Sequence, residues 1–186
     1  MFTGKIEKSE VVQTQDALPP GPAEKNVLFF ENFEISPGRF TSTEADLAVD
    51  FQSASGRGHS LKIHNKSDSV SAGTRTDGWN LGSHPLIRFS YKIPPGTSIV
   101  IRVKTEFDDW MCLAGTLTAQ CPDVSAKDLV SLADDGQWHD VSIDAKAAVH
   151  SLLAAVRDLK ELQFFIPKAR MDGEIFWIDN FRIVQP

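Results

Sequence analysis

From residue 27 onward, the sequence is a succession of short apolar runs, each followed by residues that favour turns. Within residues 60–64 the apolar and polar side chains alternate, with Leu61 and Ile63 on one face and Lys62 and His64 on the other. This period of two is that of a strand with one buried side and one wet side. Repeated along the chain, the pattern predicts an all-β fold, a two-sheet antiparallel β-sandwich.

The most regular strand is predicted over residues 98–107. Its apolar face would point into the core, whereas Arg102, Lys104 and Glu106 would form a polar row that leads to Asp108. An antiparallel sheet commonly leaves one face in water, so this row is either a solvated surface or the wall of a binding cleft.

One short helix is predicted to cover the sandwich. Asp144 is expected to cap its first turn, since a carboxylate can accept hydrogen bonds from free backbone N–H groups. A stripe of apolar residues at helical spacing then predicts the face that packs on the sheets; it consists of Val149, Leu152, Leu153, Val156 and Leu159.

Residues 1–26 differ from the rest, being polar and interrupted by Pro19, Pro20 and Pro22. They are predicted to be an N-terminal linker or tail, with the sandwich domain over residues 27–186. A chain without a signal peptide is either cytoplasmic or separated from a leader and neighbouring domains. The linker favours the second, in a larger secreted or periplasmic protein.

Charge and hydropathy restrict the partners. The net charge of −6 argues against nucleic acid, whose phosphates require clustered Lys and Arg. No segment approaches the roughly 20 apolar residues that span a bilayer, so membrane insertion is not expected. Cys112 and Cys121 either form a disulfide in an oxidising compartment or remain two buried thiols, and their spacing does not suit a zinc site.

Several motifs occur in the order found in one superfamily. Residues 28–34 read LFFENFE, residues 58–63 read GHSLKI, residues 136–144 read GQWHDVSID and residues 176–183 read FWIDNFRI. In this order they resemble the jelly-roll, galactose-binding-like carbohydrate-binding modules. The resemblance implies a jelly roll that binds a polysaccharide or oligosaccharide. It also implies a structural Ca²⁺ held by Glu34 and Asp179, with backbone carbonyls from the loop before Ser60.

A glycan is held by flat aromatic rings that stack on sugars and by polar side chains that bind the hydroxyl groups. Trp79 and Trp110 are the candidate rings because both lie among turn-forming residues. Arg102, Glu106 and Asp108 are the candidate polar contacts. The alternative for each ring is a core plug. Trp138 and Trp177, placed in strand patterns, are expected in the core.

No catalytic motif is present: the sequence lacks G-x-S-x-G, a Walker loop and H-E-x-x-H. Adjacent acids such as Asp108 and Asp109 do not indicate the separated pair of a glycosidase. The sequence therefore favours a non-catalytic carbohydrate-binding module linked to other domains. The alternatives are a protein-interaction or structural sandwich, and a jelly-roll polysaccharide lyase or glycoside hydrolase.

Overall fold

The computed structural model describes residues 26–66, 70–116, 121, 129–166 and 173–186. These residues form two β-sheets and one α-helix, which confirms the predicted sandwich. The six-stranded sheet contains β1 (Val27–Glu31), β2 (Ala45–Asp50), β3 (Ser60–Asn65), β5 (Leu86–Lys92), β9 (Trp138–Asp144) and β11 (Ile175–Val184). The five-stranded sheet contains β4 (Val70–Asn80), β6 (Val100–Thr105), β7 (Trp110–Thr116), β8 (Val130–Leu132) and β10 (Asp158–Ile166).

The strand order shows how distant parts of the chain meet. In the six-stranded sheet the order is β2-β3-β11-β5-β9, and β1 also pairs with β11; in the other sheet it is β4-β10-β6-β7-β8. The described pairs are antiparallel except β7 with β8, which is parallel. The linker was predicted over residues 1–26, and all of these except residue 26 lie outside the described residues, so the domain boundary stays a prediction.

Phenylalanine rings fill the space between the sheets. Phe164 of β10 lies 5.5 Å from Phe89 of β5, between ring centroids, and their planes are nearly perpendicular. Phe40, from the segment after β1, contacts Phe181 of β11 at 5.3 Å, also edge to face. Such edge-to-face pairs add to the stabilisation from burying the ring area. The Phe-rich composition thus serves mainly the core; the buried members are Phe29, Phe33, Phe40, Phe89, Phe164, Phe176 and Phe181.

The helix α1 (Ala145–Leu152) begins where the sequence predicts. The Asp144 carboxylate accepts a hydrogen bond of 2.8 Å from the backbone N–H of Ala147, as expected for a cap. The helix is shorter than the apolar stripe, because Leu153 already has extended backbone angles and Leu159 belongs to β10. Within the helix Val149 is buried as predicted, but Leu152 is 44% exposed, so the predicted packing face is wrong there. Val156 and Leu159 are buried, but they lie outside the helix.

Cys112 and Cys121 form a disulfide, which decides between the two alternatives left open by the sequence. The bond lies over the buried Val100 on the outer face of the five-stranded sheet. Within the described ranges, no helix has the length and apolar content needed to cross a membrane.

Candidate functional site

A stack of three side chains lies on the outer face of the five-stranded sheet, the face that points away from the core. The guanidinium carbon of Arg102 lies 4.3 Å from the centroid of the Trp110 ring and 3.7 Å from that of Phe165. A cation over an aromatic face is attracted to it, most strongly when partly shielded from water. We call these three residues the Arg102 stack.

Hydrogen bonds hold the Arg102 stack in place. Nε and Nη2 of Arg102 both donate to Oε1 of Gln163, at 3.1 and 2.8 Å. The Gln163 amide in turn donates to Glu161 at 2.6 Å. Burial lowers the pKa of Arg102, and the charges of Glu161 and Glu44 act to raise it. Arginine stays protonated at physiological pH even so, and the stack carries a fixed positive charge.

The strand register continues the stack into a polar row. Across β4, β10, β6 and β7, Arg75 lies opposite Glu161, Glu161 opposite Lys104, and Lys104 opposite Trp110. Residues paired across antiparallel strands share one face of the sheet. A cleft of about 400 Å³ lies on this face beside the row. Its wall includes Arg75, Asp77, Lys104, Asp158 and Glu161. The row joins this cleft to the Arg102 stack.

Glu106 and Asp108, two predicted polar contacts, lie where β6 turns into β7. The Glu106 carboxylate lines the cleft and accepts hydrogen bonds from the backbone N–H groups of Arg157 at 2.8 Å and Asp158 at 3.0 Å. Burial acts to raise the pKa of Glu106, but these N–H groups bring it below its ordinary value. Hydrogen bonds from Lys104 and Lys160 lower the pKa of Asp108. Both side chains are therefore carboxylates at neutral pH.

Trp110 lies half-buried within reach of Arg102, so the structure brings these two predicted residues together. Trp79 is different: the side chain is fully buried, and its indole N–H donates to the backbone carbonyl of His84 at 2.8 Å. The interpretation of Trp79 as an exposed ring is wrong. The turn-forming residues beside it lie within β4, where Gly78 has a positive φ of 72° and the pairing with β10 shifts register, turning Trp79 inward.

The expectation that Trp138 and Trp177 are core residues is also wrong, since both are half-buried on the outer face of the six-stranded sheet. Trp138 and Ile143 are an odd number of positions apart in β9, so they lie on opposite faces of the strand. Ile143 points inward, and Trp138 shares the outer face with the exposed Asp140. In β11, a register shift near Asn180, whose φ is 50°, interrupts the period of two. The buried residues just before and just after this bulge both point inward, although an uninterrupted period of two would place them on opposite faces. Trp177 points outward.

The residues proposed for calcium meet at one end of the six-stranded sheet. Leu61 pairs with Ile178, so the next positions along the two strands, Ser60 and Asp179, are neighbours. Asp179 is 3% exposed and accepts a hydrogen bond from the backbone N–H of Ala54 at 3.1 Å. Glu34 accepts one from the ring Nδ1 of His59 at 3.0 Å.

Two features of this cluster suit a hard cation. Burial raises the pKa of Asp179, and the charges of Glu34 and Asp140 act in the same direction. The hydroxyl of Ser60 is buried and has no hydrogen-bond partner among the described residues. The donors are fewer than a complete site needs, because no group of three or more His, Cys, Asp or Glu in the described ranges is placed to hold a metal. Backbone carbonyls would have to supply the remaining ligands.

Phe165 is part of the Arg102 stack and Gln163 holds Arg102 in place, but neither was among the predicted site residues. The signal was present in the sequence, because residues 162–166 alternate, and Leu162, Phe164 and Ile166 fill the core. The two positions between them must then face outward. Which strand lies beside β10, and hence which side chain they meet, depends on the sheet order.

Comparison with solved structures places this fold among known ones. The family 11 carbohydrate-binding module of a cellulosomal cellulase of Clostridium thermocellum matches with a TM-score of 0.51 and 9% identity, over 86% of this chain and 96% of that chain. The family 11 module from the same organism, in complex with a β-1,3-1,4-mixed-linked tetrasaccharide, matches with a TM-score of 0.52 and 10% identity, with the same coverage. An exo-β-agarase matches with a TM-score of 0.54 and 11% identity, over 87% of this chain and 25% of that chain.

No known family profile matches the sequence, and no curated protein matches it. The fold is a jelly-roll β-sandwich whose structural neighbours include carbohydrate-binding modules, as the sequence motifs predict. At such low identity the likeness shows the fold alone, because one sandwich serves many functions.

Proposed function

We propose that this domain is a non-catalytic carbohydrate-binding module that binds a glycan chain along the outer face of the five-stranded sheet. The observation that carries this proposal is the Arg102 stack, a fixed pair of aromatic rings beside a polar cleft. Trp110 and Phe165 would stack on sugar rings, and the row of Arg75, Glu161 and Lys104 would bind hydroxyl groups. The neighbour bound to a mixed-linked tetrasaccharide supports a glycan ligand.

Binding rather than catalysis is favoured by the carboxylates at this face. A glycosidase needs one acid whose pKa is raised, so that it can donate a proton at neutral pH. The pKa values of Glu106 and Asp108 are lowered instead. Glu106 is also held by two backbone N–H groups, which gives it a structural role in joining β6 to the start of β10.

We further propose a secreted or periplasmic location, with the module linked to other domains. The Cys112–Cys121 disulfide supports this location, since such bonds persist in oxidising compartments. A linked module would keep a partner domain close to its polysaccharide and raise the effective concentration of substrate.

Calcium is proposed as a structural ion at Glu34, Asp179 and the start of β3. The support is the buried Asp179 carboxylate, which has no basic side chain within ion-pair distance in the described part of the chain, together with the unpaired Ser60 hydroxyl. A bound Ca²⁺ would neutralise this buried charge and join the loop before Ser60 to β11.

The test is affinity electrophoresis of the whole chain in gels that contain mixed-linkage β-glucan or agarose. Trp110→Ala should weaken binding by about 1–3 kcal/mol, the range for exposing and truncating a stacked aromatic ring, while the circular dichroism spectrum stays unchanged. Phe30→Ala is the matched control, because Phe30 is an exposed ring on the other sheet. Equal retardation of Trp110→Ala and wild type would contradict the proposed site. Absence of retardation by any neutral polysaccharide would favour the protein-interaction alternative.

A further inference from the structure

A second aromatic and charged surface lies on the outer face of the six-stranded sheet, opposite the proposed glycan site. The register places Trp138 of β9 opposite Lys92 of β5, Lys92 opposite Trp177 of β11, and Trp177 opposite Lys62 of β3. These four side chains therefore form one row across four strands. The two indoles are separated by a single strand, a distance of about 9–10 Å from standard strand spacing. We call the row of four side chains the tryptophan row.

The tryptophan row continues into a cleft of about 500 Å³ on the same face. Its wall includes Arg88, Ser90, Asp140, Ser142, Asn180 and Arg182. Arg88 and Arg182 are directly opposite each other on β5 and β11.

The charges of this face are segregated. On the outward positions of the three central strands, β3, β11 and β5, the exposed or half-buried Lys, Arg, Asp and Glu side chains are all basic: Arg88 is exposed, and Lys62, Lys92 and Arg182 are half-buried. The acids lie on the edge strands β2 and β9, and Asp179 is buried. The protein as a whole carries a net charge of −6. Asp140 of β9 borders the cleft and accepts a hydrogen bond from Ser90, and Asp50 of β2 lies 4.0 Å from Lys62, so Arg88 and Lys92 are the basic groups left for a ligand.

Two of the basic groups are available to a ligand. Arg88 is exposed, and no carboxylate in the described part of the chain lies within 4 Å of its guanidinium. The amine of Lys92 donates to a neutral group, Oε1 of Gln52, at 2.7 Å, and lies 5.4 Å from the centroid of the Trp177 ring. A cation beside an indole face is the combination that would bind a sugar ring bearing an acidic group.

We propose that the outer face of the six-stranded sheet is a second binding surface, specific for an acidic polysaccharide. Sugar rings stack on Trp138 and Trp177, and carboxylate or sulfate groups of the polymer bind Lys92 and Arg88. This surface is on the opposite side of the sandwich from the Arg102 stack. Each side therefore binds its own glycan, neutral on one and acidic on the other, and the second site does not depend on the first.

The experiment is isothermal titration of the full chain with three probes: oligogalacturonate for carboxylates, κ-carrageenan oligosaccharides for sulfates, and mixed-linkage β-glucan oligosaccharides as the neutral probe. Wild type should bind at least one acidic probe, with an affinity that falls as salt is added. Trp177→Ala and Arg88→Gln should each weaken that affinity about tenfold or more. Trp110→Ala, on the other sheet, should leave it unchanged.

The proposal stands only if both variants lose affinity for the acidic probe and retain the wild-type response to the neutral one. Binding of an acidic probe that survives either substitution, or that is lost in Trp110→Ala, overturns it, as does failure of wild type to bind both acidic probes. Should Trp177→Ala change the circular dichroism spectrum, Trp138→Ala on the edge strand β9 replaces it. If wild type binds an acidic probe as expected but does not bind the neutral probe, the proposed function is contradicted and this inference stands.

Discussion

Trp79 is the residue for which the sequence and the structure disagree most, and its substitution separates the two interpretations. The indole is fully buried between the sheets and donates a hydrogen bond to the carbonyl of His84. Trp79→Ala removes a large buried ring and leaves a cavity, which costs about 3–5 kcal/mol of unfolding free energy. For a domain of this size, each kcal/mol lowers the melting temperature by about 2–4 °C, so a decrease of about 6–20 °C is expected.

The more conservative Trp79→Phe separates ring burial from the hydrogen bond. Most of the ring is retained, but the His84 carbonyl loses its donor, so the expected cost is about 1–3 kcal/mol. Trp110→Ala is the matched control, because its half-exposed ring contributes little more than its contact with Arg102, about 1 kcal/mol. Urea unfolding followed by far-UV circular dichroism gives the three values under one two-state treatment.

The opposite pattern would refute this assignment. If Trp79→Ala unfolded like wild type and instead lost affinity for a glycan, the ring would have to be exposed. The inward turn of β4 at Gly78 would then be wrong, and Trp79 would return to the binding site as the sequence first predicted.

Two further predictions concern the stability of the fold. Reduction of the Cys112–Cys121 disulfide, which closes a separation of nine residues, should lower the unfolding free energy by about 2–3 kcal/mol in urea; equal values with and without reductant would show that the bond is not formed in solution. If calcium binds at Asp179, Ca²⁺ should raise the melting temperature of chelator-treated protein, because a ligand bound only by the native state stabilises it. Asp179→Asn should abolish this increase and the surface control Asp46→Asn should keep it, whereas identical melting curves in Ca²⁺ and chelator would exclude the ion.

The sequence alone determined the features that depend on local patterns. The alternation around Arg102 and Lys104 placed both on the outer face of a strand, because a strand positions side chains with a period of two. The cap at Asp144 fixed the start of α1, since capping involves only the next few backbone N–H groups. The order of short strands and turns predicted a sandwich, and the motifs predicted the jelly roll.

Tertiary structure decided the features that depend on which strands are neighbours. Phe165 joins the Arg102 stack because β10 lies beside β6, an adjacency between residues about sixty positions apart. Leu159 likewise left the predicted helical stripe because it pairs with Thr105 of β6. A short apolar stripe fits a helix and a strand almost equally well until its partner is known.

The four tryptophans show the same division in physical terms. The sequence gives each a strand or loop environment, but the face on which a strand residue lies reverses wherever a bulge adds one residue. Bulges in β4 and β11 turned Trp79 inward and Trp177 outward. A bulge forms where pairing with the neighbouring strand shifts register, so its position is set by residues far away in the chain. The sequence therefore determined that the chain forms a jelly roll with aromatic residues, and the pairing of strands decided which aromatic rings lie in the core and which face a ligand.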